Sequence, residues 1–411
     1  MRINLKEKNH FHSVFETLLN RLIGRPIEGI SIDSRNIKKN DLFIAIKGEN
    51  FDGNDFIDQA IDNGASYSLS SKKNKSDKHI YVENLNDFMK ELTVNWLKDF
   101  EGKIVGITGS NGKTTTKDLI SHLLQSKLKV QKTRGNYNTS ISVPLSILSF
   151  SLKTDIYVLE LGANKVGDIK YLSSIVNPDY GVITSIAAAH LDGFGSIRNI
   201  EKEKKSILDF SSKKYNFNEI EPNDLKINLK GSRSEIFIKN FQIAAHIAHD
   251  IFNDLKINDF DENSLMDCFK NFEIPKGRGN VLFINKIRVI DDSYNANPES
   301  VKAALDYLNR FKEHRKIFVF GDMKELGENG DNLHKEIGQY ADGKANILLT
   351  VGKLAKNAQS NSKNFALSLH FNDNFSLLEK LNELLTDGDV VLIKGSRSMH
   401  LDQLVNELKK C

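Results

Sequence analysis

The chain has 411 residues, 39% of them hydrophobic and 27% charged. That is enough for two or three domains with buried cores, and it excludes a disordered chain. Fifty-seven Lys and Arg nearly balance 54 Asp and Glu, with no block of like charge, which excludes a nucleic-acid arm or an acidic tail. Two distant cysteines, Cys268 and Cys411, exclude a disulfide framework and a thiolate zinc site, and fit a reducing cytoplasm. The N-terminus lacks the apolar core of a signal peptide, and no run of 18 apolar residues is present, so no membrane insertion is expected.

In chain order, the first 85 residues alternate short strands and turns. GISIDSR (29–35) and DLFIAIKG (41–48) read as strands, and 55–65 as a helix ending at Gly64. Residues 86–99 predict an amphipathic helix. KIVGIT (103–108) is an apolar strand, followed by GSNGKT and a helix over 113–127. IYVLELG (156–162) and YGVITSIA (180–187) are further unbroken apolar strands. Such runs separated by helices predict a mainly parallel sheet covered on both faces. Residues 211–235 are polar and weakly patterned, and 241–255 and 262–272 read as helices. From Gly277 the alternation restarts. Strands are expected at KIRVIDDSY, 316–322, 346–352 and 389–396, and helices at 298–311, 331–341, 375–385 and 398–409. The pattern is that of a Rossmann-like α/β domain.

Gly109-Ser110-Asn111-Gly112-Lys113-Thr114-Thr115 lies between a strand and a helix. Glycines let backbone N–H groups converge on phosphate oxygens, and the helix N-terminus adds positive potential. Lys113 is then set to reach the β- and γ-phosphates, and the Thr114 hydroxyl to ligate Mg²⁺. Ile107 stands where the common phosphate-loop pattern has its first glycine. Such a loop serves kinases, motors, GTPases and ligases alike. Glu160 falls at the carboxyl end of an apolar strand, where parallel sheets bind ligands, and suits a Mg²⁺ ligand; a strand-end cap is the competing reading. His190, in AAAHLDGFGS, falls at the same edge. Lys204 is one of four lysines in SIRNIEKEKKSILDF, a pattern that by itself points to solvent.

TGSNGKTT, LELGAN, AHLDGFGS with a downstream lysine, and DDSYNANPES together resemble the Mur ligases, and the similarity runs from about residue 29 to 408. GDMKELG and KGSRSM resemble the branch of that family that adds D-alanyl-D-alanine. The resemblance implies three α/β domains: a small UDP-substrate domain (1–85), a central P-loop ATPase domain with a mainly parallel sheet (86–275) and a C-terminal Rossmann-like ligase domain (276–411). It implies ATP-dependent joining of D-alanyl-D-alanine to UDP-MurNAc-tripeptide through an acyl phosphate, by a cytoplasmic monomer using ATP and Mg²⁺. Phosphorylation supplies the leaving group that a carboxylate lacks, and two anions must be brought together by positive charge.

The resemblance also implies residue roles. Thr114 and Glu160 hold one Mg²⁺. His190 helps hold a second, together with Lys204 if that lysine is carbamylated. Arg278, Asn295 and Asn297 contact ATP from the third domain. Ser34 and Arg35 face the uridine diphosphate, and Asn136 and Asn138 lie near the muramyl-peptide and ATP. Lys394, Ser396 and Arg397 are expected on the D-Ala-D-Ala side, with helix capping as the rival role for Ser396 and Ser398. Thr139, Ser142 and Ser206 depart from the family pattern, and the histidine expected near Asn240 is absent. The stretch 211–239 is short for the family's central segment. These departures keep a second reading open: a catalytically impaired nucleotide-binding protein on the same fold.

Overall fold

Apolar, β-branched runs bounded by Gly, Pro or Asn set the strands, and the sheets follow from which runs are buried on both faces. The computed structural model describes residues 1–48, 51–219, 233–258 and 261–410. The first sheet has order β1-β2-β3-β4-β5, formed by Arg2–Asn4, Gly29–Ser31, Asp41–Ile44, Ala65–Ser70 and His79–Tyr81. Only β1 runs antiparallel to its neighbour; the other pairings are parallel.

The second sheet is wholly parallel, in order β10-β9-β6-β8-β7. Its strands are β6 (Lys103–Thr108), β7 (Val130–Lys132), β8 (Ile156–Glu160), β9 (Tyr180–Ile183) and β10 (Lys213–Asn216). The chain leaves β6 toward β7 and β8 on one side, then returns to place β9 and β10 on the other. The carboxyl ends of β6, β8 and β9 therefore open beside a reversal of strand order, where open α/β sheets bind ligands.

The third sheet has order β11-β12-β16-β13-β14-β15. It comprises Asn280–Ile284, Ile287–Asp292, Lys316–Gly321, Ile347–Val351, Leu367–Phe371 and Val390–Lys394, numbered β11 to β16 along the chain. β11 is an antiparallel edge; the remaining pairings are parallel. Separate apolar cores cover its two faces. Among the described residues no helix is long and apolar enough to cross a membrane.

Several elements escaped the sequence reading. The helix Lys8–Leu19 packs on Leu85–Leu97, and both bury aromatic residues, Phe11, Phe15 and Trp96. β10 arises within the stretch read as weakly patterned, because Tyr215 alone supplies the buried apolar anchor of KKYN. Residues 220–232 of that stretch lie outside the described residues. The helix expected over 398–409 is broken: a short turn, Arg397–Met399, precedes Asp402–Leu408, because His400 takes a left-handed φ of 53°. That conformation stops an α-helix.

Candidate active site

The loop after β6 owes its shape to two glycines. A Cβ on Gly109 (φ +150°) would fall 2.0 Å from Thr184 Oγ1, and one on Gly112 (φ +83°) 2.6 Å from Asn240 Oδ1. Any side chain there is both strained and obstructed. Residues beyond β9 pin the loop. Thr184 Oγ1 donates to the Asn111 carbonyl (2.6 Å), Ser185 Oγ accepts from Asn111 N (2.9 Å), and Ser110 Oγ donates to the Ala187 carbonyl (2.9 Å). Lys113 Nζ donates to the Gly109 carbonyl at 2.6 Å. Burial pulls its pKa down, with the Glu160 charge opposing.

Glu160 is 1% exposed. Its Oε2 accepts from the Thr114 hydroxyl (2.8 Å) and its Oε1 from the Asn138 amide (2.8 Å). The strand-end carboxylate therefore faces the phosphate loop and does not cap the next turn. Thr114 and Glu160 put two hard oxygen donors side by side, the donor chemistry Mg²⁺ prefers. Among the described residues no three His, Cys, Asp or Glu side chains cluster to hold a metal by themselves. A cation on Thr114 and Glu160 would complete its shell with phosphate and water oxygens, as Mg²⁺ commonly does.

His190 takes a left-handed φ of 54°. Its Nδ1 lies 2.5 Å from Glu325 Oε2, and this hydrogen bond holds the Glu325 carboxyl below its ordinary pKa. Lys204 is only 2% exposed, contrary to its charged-helix pattern. Its Nζ stands 5.9 Å from the Phe194 ring centre. Burial, helped by repulsion from Lys113, brings its pKa down to about 7.

The third sheet supplies the opposite wall. Gly277 (φ +74°) and Gly279 (φ +84°) flank Arg278, whose guanidinium carbon sits 3.9 Å from the Tyr294 ring centre. Asn297 caps the helix Pro298–Leu308, its Oδ1 accepting from Ser300 N (2.9 Å), while its Nδ2 donates to Asn111 Oδ1 (2.6 Å). One side chain thus starts a helix and touches the phosphate loop. Lys394, 1% exposed, pairs with Asp292 at 2.5 Å and donates to the Asn295 carbonyl at 3.1 Å. The two walls enclose a cavity of about 370 Å³.

Residues 107–280 match the Mur ligase middle domain, 277–397 the Mur ligase glutamate ligase domain, and 26–100 the Mur ligase family catalytic domain. The UDP-N-acetylmuramoyl-tripeptide–D-alanyl-D-alanine ligase of Bacillus subtilis (strain 168) is 31% identical, with 93% of each chain covered. The chain belongs to the Mur ligase family. The ligase of the same name from Rickettsia prowazekii (strain Madrid E) is 32% identical, over 92% of this chain and 94% of its own. The crystal structure of the MurF ligase from Thermotoga maritima in complex with ADP superposes with a TM-score of 0.81 at 28% identity, covering 96% of this chain and 98% of that one.

Of the residues that the Mur ligase resemblance singles out, the cavity gathers loop residues 110–115, Asn136 and Asn138, Glu160 and His190 on one wall. Arg278, Asn295, Asn297 and Lys394 line the other. Gly109 contributes its carbonyl to Lys113, and Lys204 sits behind the wall near Lys113. Ser34 and Arg35 lie apart at the end of β2. Ser34 Oγ donates to Gln59 (2.7 Å), and the exposed Arg35 guanidinium forks onto Asp33 at 2.9 Å through both Nε and Nη2. Ser396 makes no capping bond; its Oγ accepts from Lys324 N at 2.8 Å. Ser398 caps nothing either, because the next helix begins at Asp402 after Leu401. Neither Ser396 nor Arg397 lines the cavity: Arg397 binds Asp402 (3.1 Å), its guanidinium 5.7 Å from the ring centre of Tyr294, which does line it.

Sequence reasoning missed Lys117, Asp292, Tyr294 and Glu325, and left Asn240 without a role; all but Lys117 line the cavity. Asp292, Tyr294 and Glu325 stood inside motifs already noted, DDSYNANPES and GDMKELG. Lys117 was legible only as a lysine one helical turn after Lys113.

Proposed function

We propose that this protein is an ATP-dependent ligase that joins D-alanyl-D-alanine to UDP-MurNAc-tripeptide in peptidoglycan precursor synthesis. The observation that carries this reading is the two-walled cavity. A Gly-Lys-Thr phosphate loop, a buried metal-suited carboxylate and Lys394 at the end of β16 converge on it, in a chain that matches ligases of that name along nearly its whole length. The relatives' identity and the retention of Lys113, Thr114, Glu160, His190 and Lys204 together disfavour a catalytically impaired relative.

In this reading residues 1–85 bind the UDP-substrate, with Ser34 and Arg35 toward its diphosphate, 86–275 bind ATP, and 276–411 complete the site. The enzyme is a cytoplasmic monomer. A carboxylate oxygen of the tripeptide attacks the γ-phosphorus and ADP leaves; the dipeptide amine then attacks the acyl carbon, and phosphate leaves with the bonding pair. Gly109–Gly112 and Lys113 orient the triphosphate, Lys113 exchanging its bond to the Gly109 carbonyl for phosphate oxygens. Thr114 and Glu160 would hold Mg²⁺, with His190 and a carbamylated Lys204 serving a second ion. The metal supplies charge neutralisation where two anions meet. The near-neutral pKa of Lys204 favours the free amine that carbamylation requires.

Arg278, Asn295 and Asn297 bind the nucleotide from the opposite wall, and closure of the two walls shields the acyl phosphate from water. Asn136 and Asn138 border the acceptor peptide. Lys394, Ser396 and Arg397 lie toward the dipeptide, where the Arg397 fork suits its carboxylate. Incubation with UDP-MurNAc-tripeptide, D-Ala-D-Ala, Mg²⁺ and ATP should yield the pentapeptide product and ADP release that needs both amide partners. No product with all four present would refute the reading.

A further inference from the structure

One fully buried charge beside the cavity has no part in the mechanism above. Lys117 is 0% exposed, one turn along the helix that the phosphate loop opens. Its ammonium donates to the Gly135 carbonyl at 2.9 Å, and stands 3.7 Å from Glu160 Oε2 and 3.6 Å from Asp118 Oδ1. Lys132 reaches the same Asp118 at 2.7 Å. Two cations therefore face two carboxylates under the floor of the site. Burial pulls the Lys117 pKa down, with the Glu160 and Asp118 charges opposing.

A metal ligand works best when its negative charge is unspent. Here the Glu160 charge is already balanced, and both of its oxygens accept hydrogen bonds. A divalent cation arriving alone meets a neutralised carboxylate beside a like charge. The Lys117 stem is packed on all sides and tied to Gly135, so that charge has no route away. In a low-dielectric floor such repulsion is poorly screened. A nucleotide reverses the balance, because its phosphates bring several negative charges to the same place.

We infer that Lys117 is a positioning residue that serves as the standing counter-ion of Glu160, so that the divalent metal enters the site only together with the nucleotide. This rests on the ligase reading only in taking Glu160 as a metal ligand.

The test uses Mn²⁺ alone, with free Mn²⁺ followed by electron paramagnetic resonance in titrations of the full, nucleotide-free chain. The wild type is expected to bind Mn²⁺ no more tightly than Glu160→Gln. Lys117→Met and Lys117→Gln, checked for folding by circular dichroism, are expected to bind it at least about tenfold more tightly. That gain should vanish when Glu160→Gln is added. A lysine that merely ties the helix to Gly135 predicts the opposite sign, since its loss would loosen the ligand. Tight Mn²⁺ binding by the nucleotide-free wild type that depends on Glu160, or unchanged affinity in a folded Lys117 variant, would overturn the proposal. Should neither Lys117 variant fold, the wild type against Glu160→Gln still decides. Product formation is assayed separately, so a wild type without ligase activity would refute the earlier reading and leave the Mn²⁺ result standing.

Discussion

The two junctions of this chain are built from different materials. Between the first and second sheets the apolar core is continuous. Ile3, Phe11 and Phe15 from the N-terminal part, Trp96 from the connecting helix, and Tyr157 and Leu159 from β8 belong to one cluster. Phe100 stacks on Tyr157 with ring centres 3.8 Å apart, and Ser151 donates to Glu7 at 2.7 Å. Between the second and third sheets the cores are separate, and the contacts that meet across the cavity are polar: Asn111 with Asn297, Asn111 with Glu299 at 3.1 Å, and His190 with Glu325. Apolar area removed from water stabilises without direction, whereas exposed polar pairs contribute little net energy and re-form easily. The first junction is therefore suited to hold and the second to open.

The largest separation of the two junctions should come from Lys113→Ala. It removes the cation at the opening junction and touches no apolar core, so kcat should fall by about 10²–10³-fold or more while the melting temperature barely moves. Paired kinetics and calorimetry check this; a large loss of stability would erase the contrast. Trp96→Ala strikes the other junction. Emptying a fully buried indole should cost about 3–5 kcal/mol of stability, with little change in kcat per folded molecule below the transition, read by chemical denaturation.

Lys204→Ala should lower turnover, with partial rescue by short carboxylic acids that replace a carbamate's oxygens; full activity in the unrescued variant would refute the carbamate. In its uncarbamylated state, on the metal- and nucleotide-free chain, the same lysine carries a pH signature. Its folded pKa, about 7, lies below its ordinary value of 10.5, so the unfolded chain binds the extra proton in between. Stability should therefore rise as pH climbs from about 7 toward 10.5. The rise should shrink in Lys204→Met, as melting curves across that range would reveal.

Asn297 gives the smallest and sharpest test. Asn297→Ala removes a helix cap, about 1 kcal/mol, and also the bond to Asn111. Asn297→Asp keeps the capping oxygen but loses the donor, so stability should recover while the KM for ATP stays raised. Recovery of both would show that only the cap matters.

Much of this was open to the sequence alone. Strand runs such as KIVGIT and IYVLELG announced a parallel sheet, because residues buried on both faces cannot alternate. The phosphate loop announced itself because glycine, lysine and threonine are needed at fixed local spacing. Local patterns encode local geometry, and the loop, the carboxyl strand ends and the helix starts are all local. What the sequence could not supply is what depends on distant partners. The antiparallel edge β11 is half-exposed and leans on β12 for its pairing. The turn at His400 and the strand at 213–216 likewise have no strong pattern of their own. Lys204 and Lys117 look like solvated helix lysines until Phe194, Lys113, Gly135 and Glu160 close around them. The link of His190 to Glu325 joins residues more than a hundred positions apart, through a backbone conformation that no pattern signals. Periodicity and motif settled which chemistry this chain carries. Which charges are buried, and therefore how they are poised, was decided only by tertiary packing, because desolvation is a property of the surroundings and not of the residue.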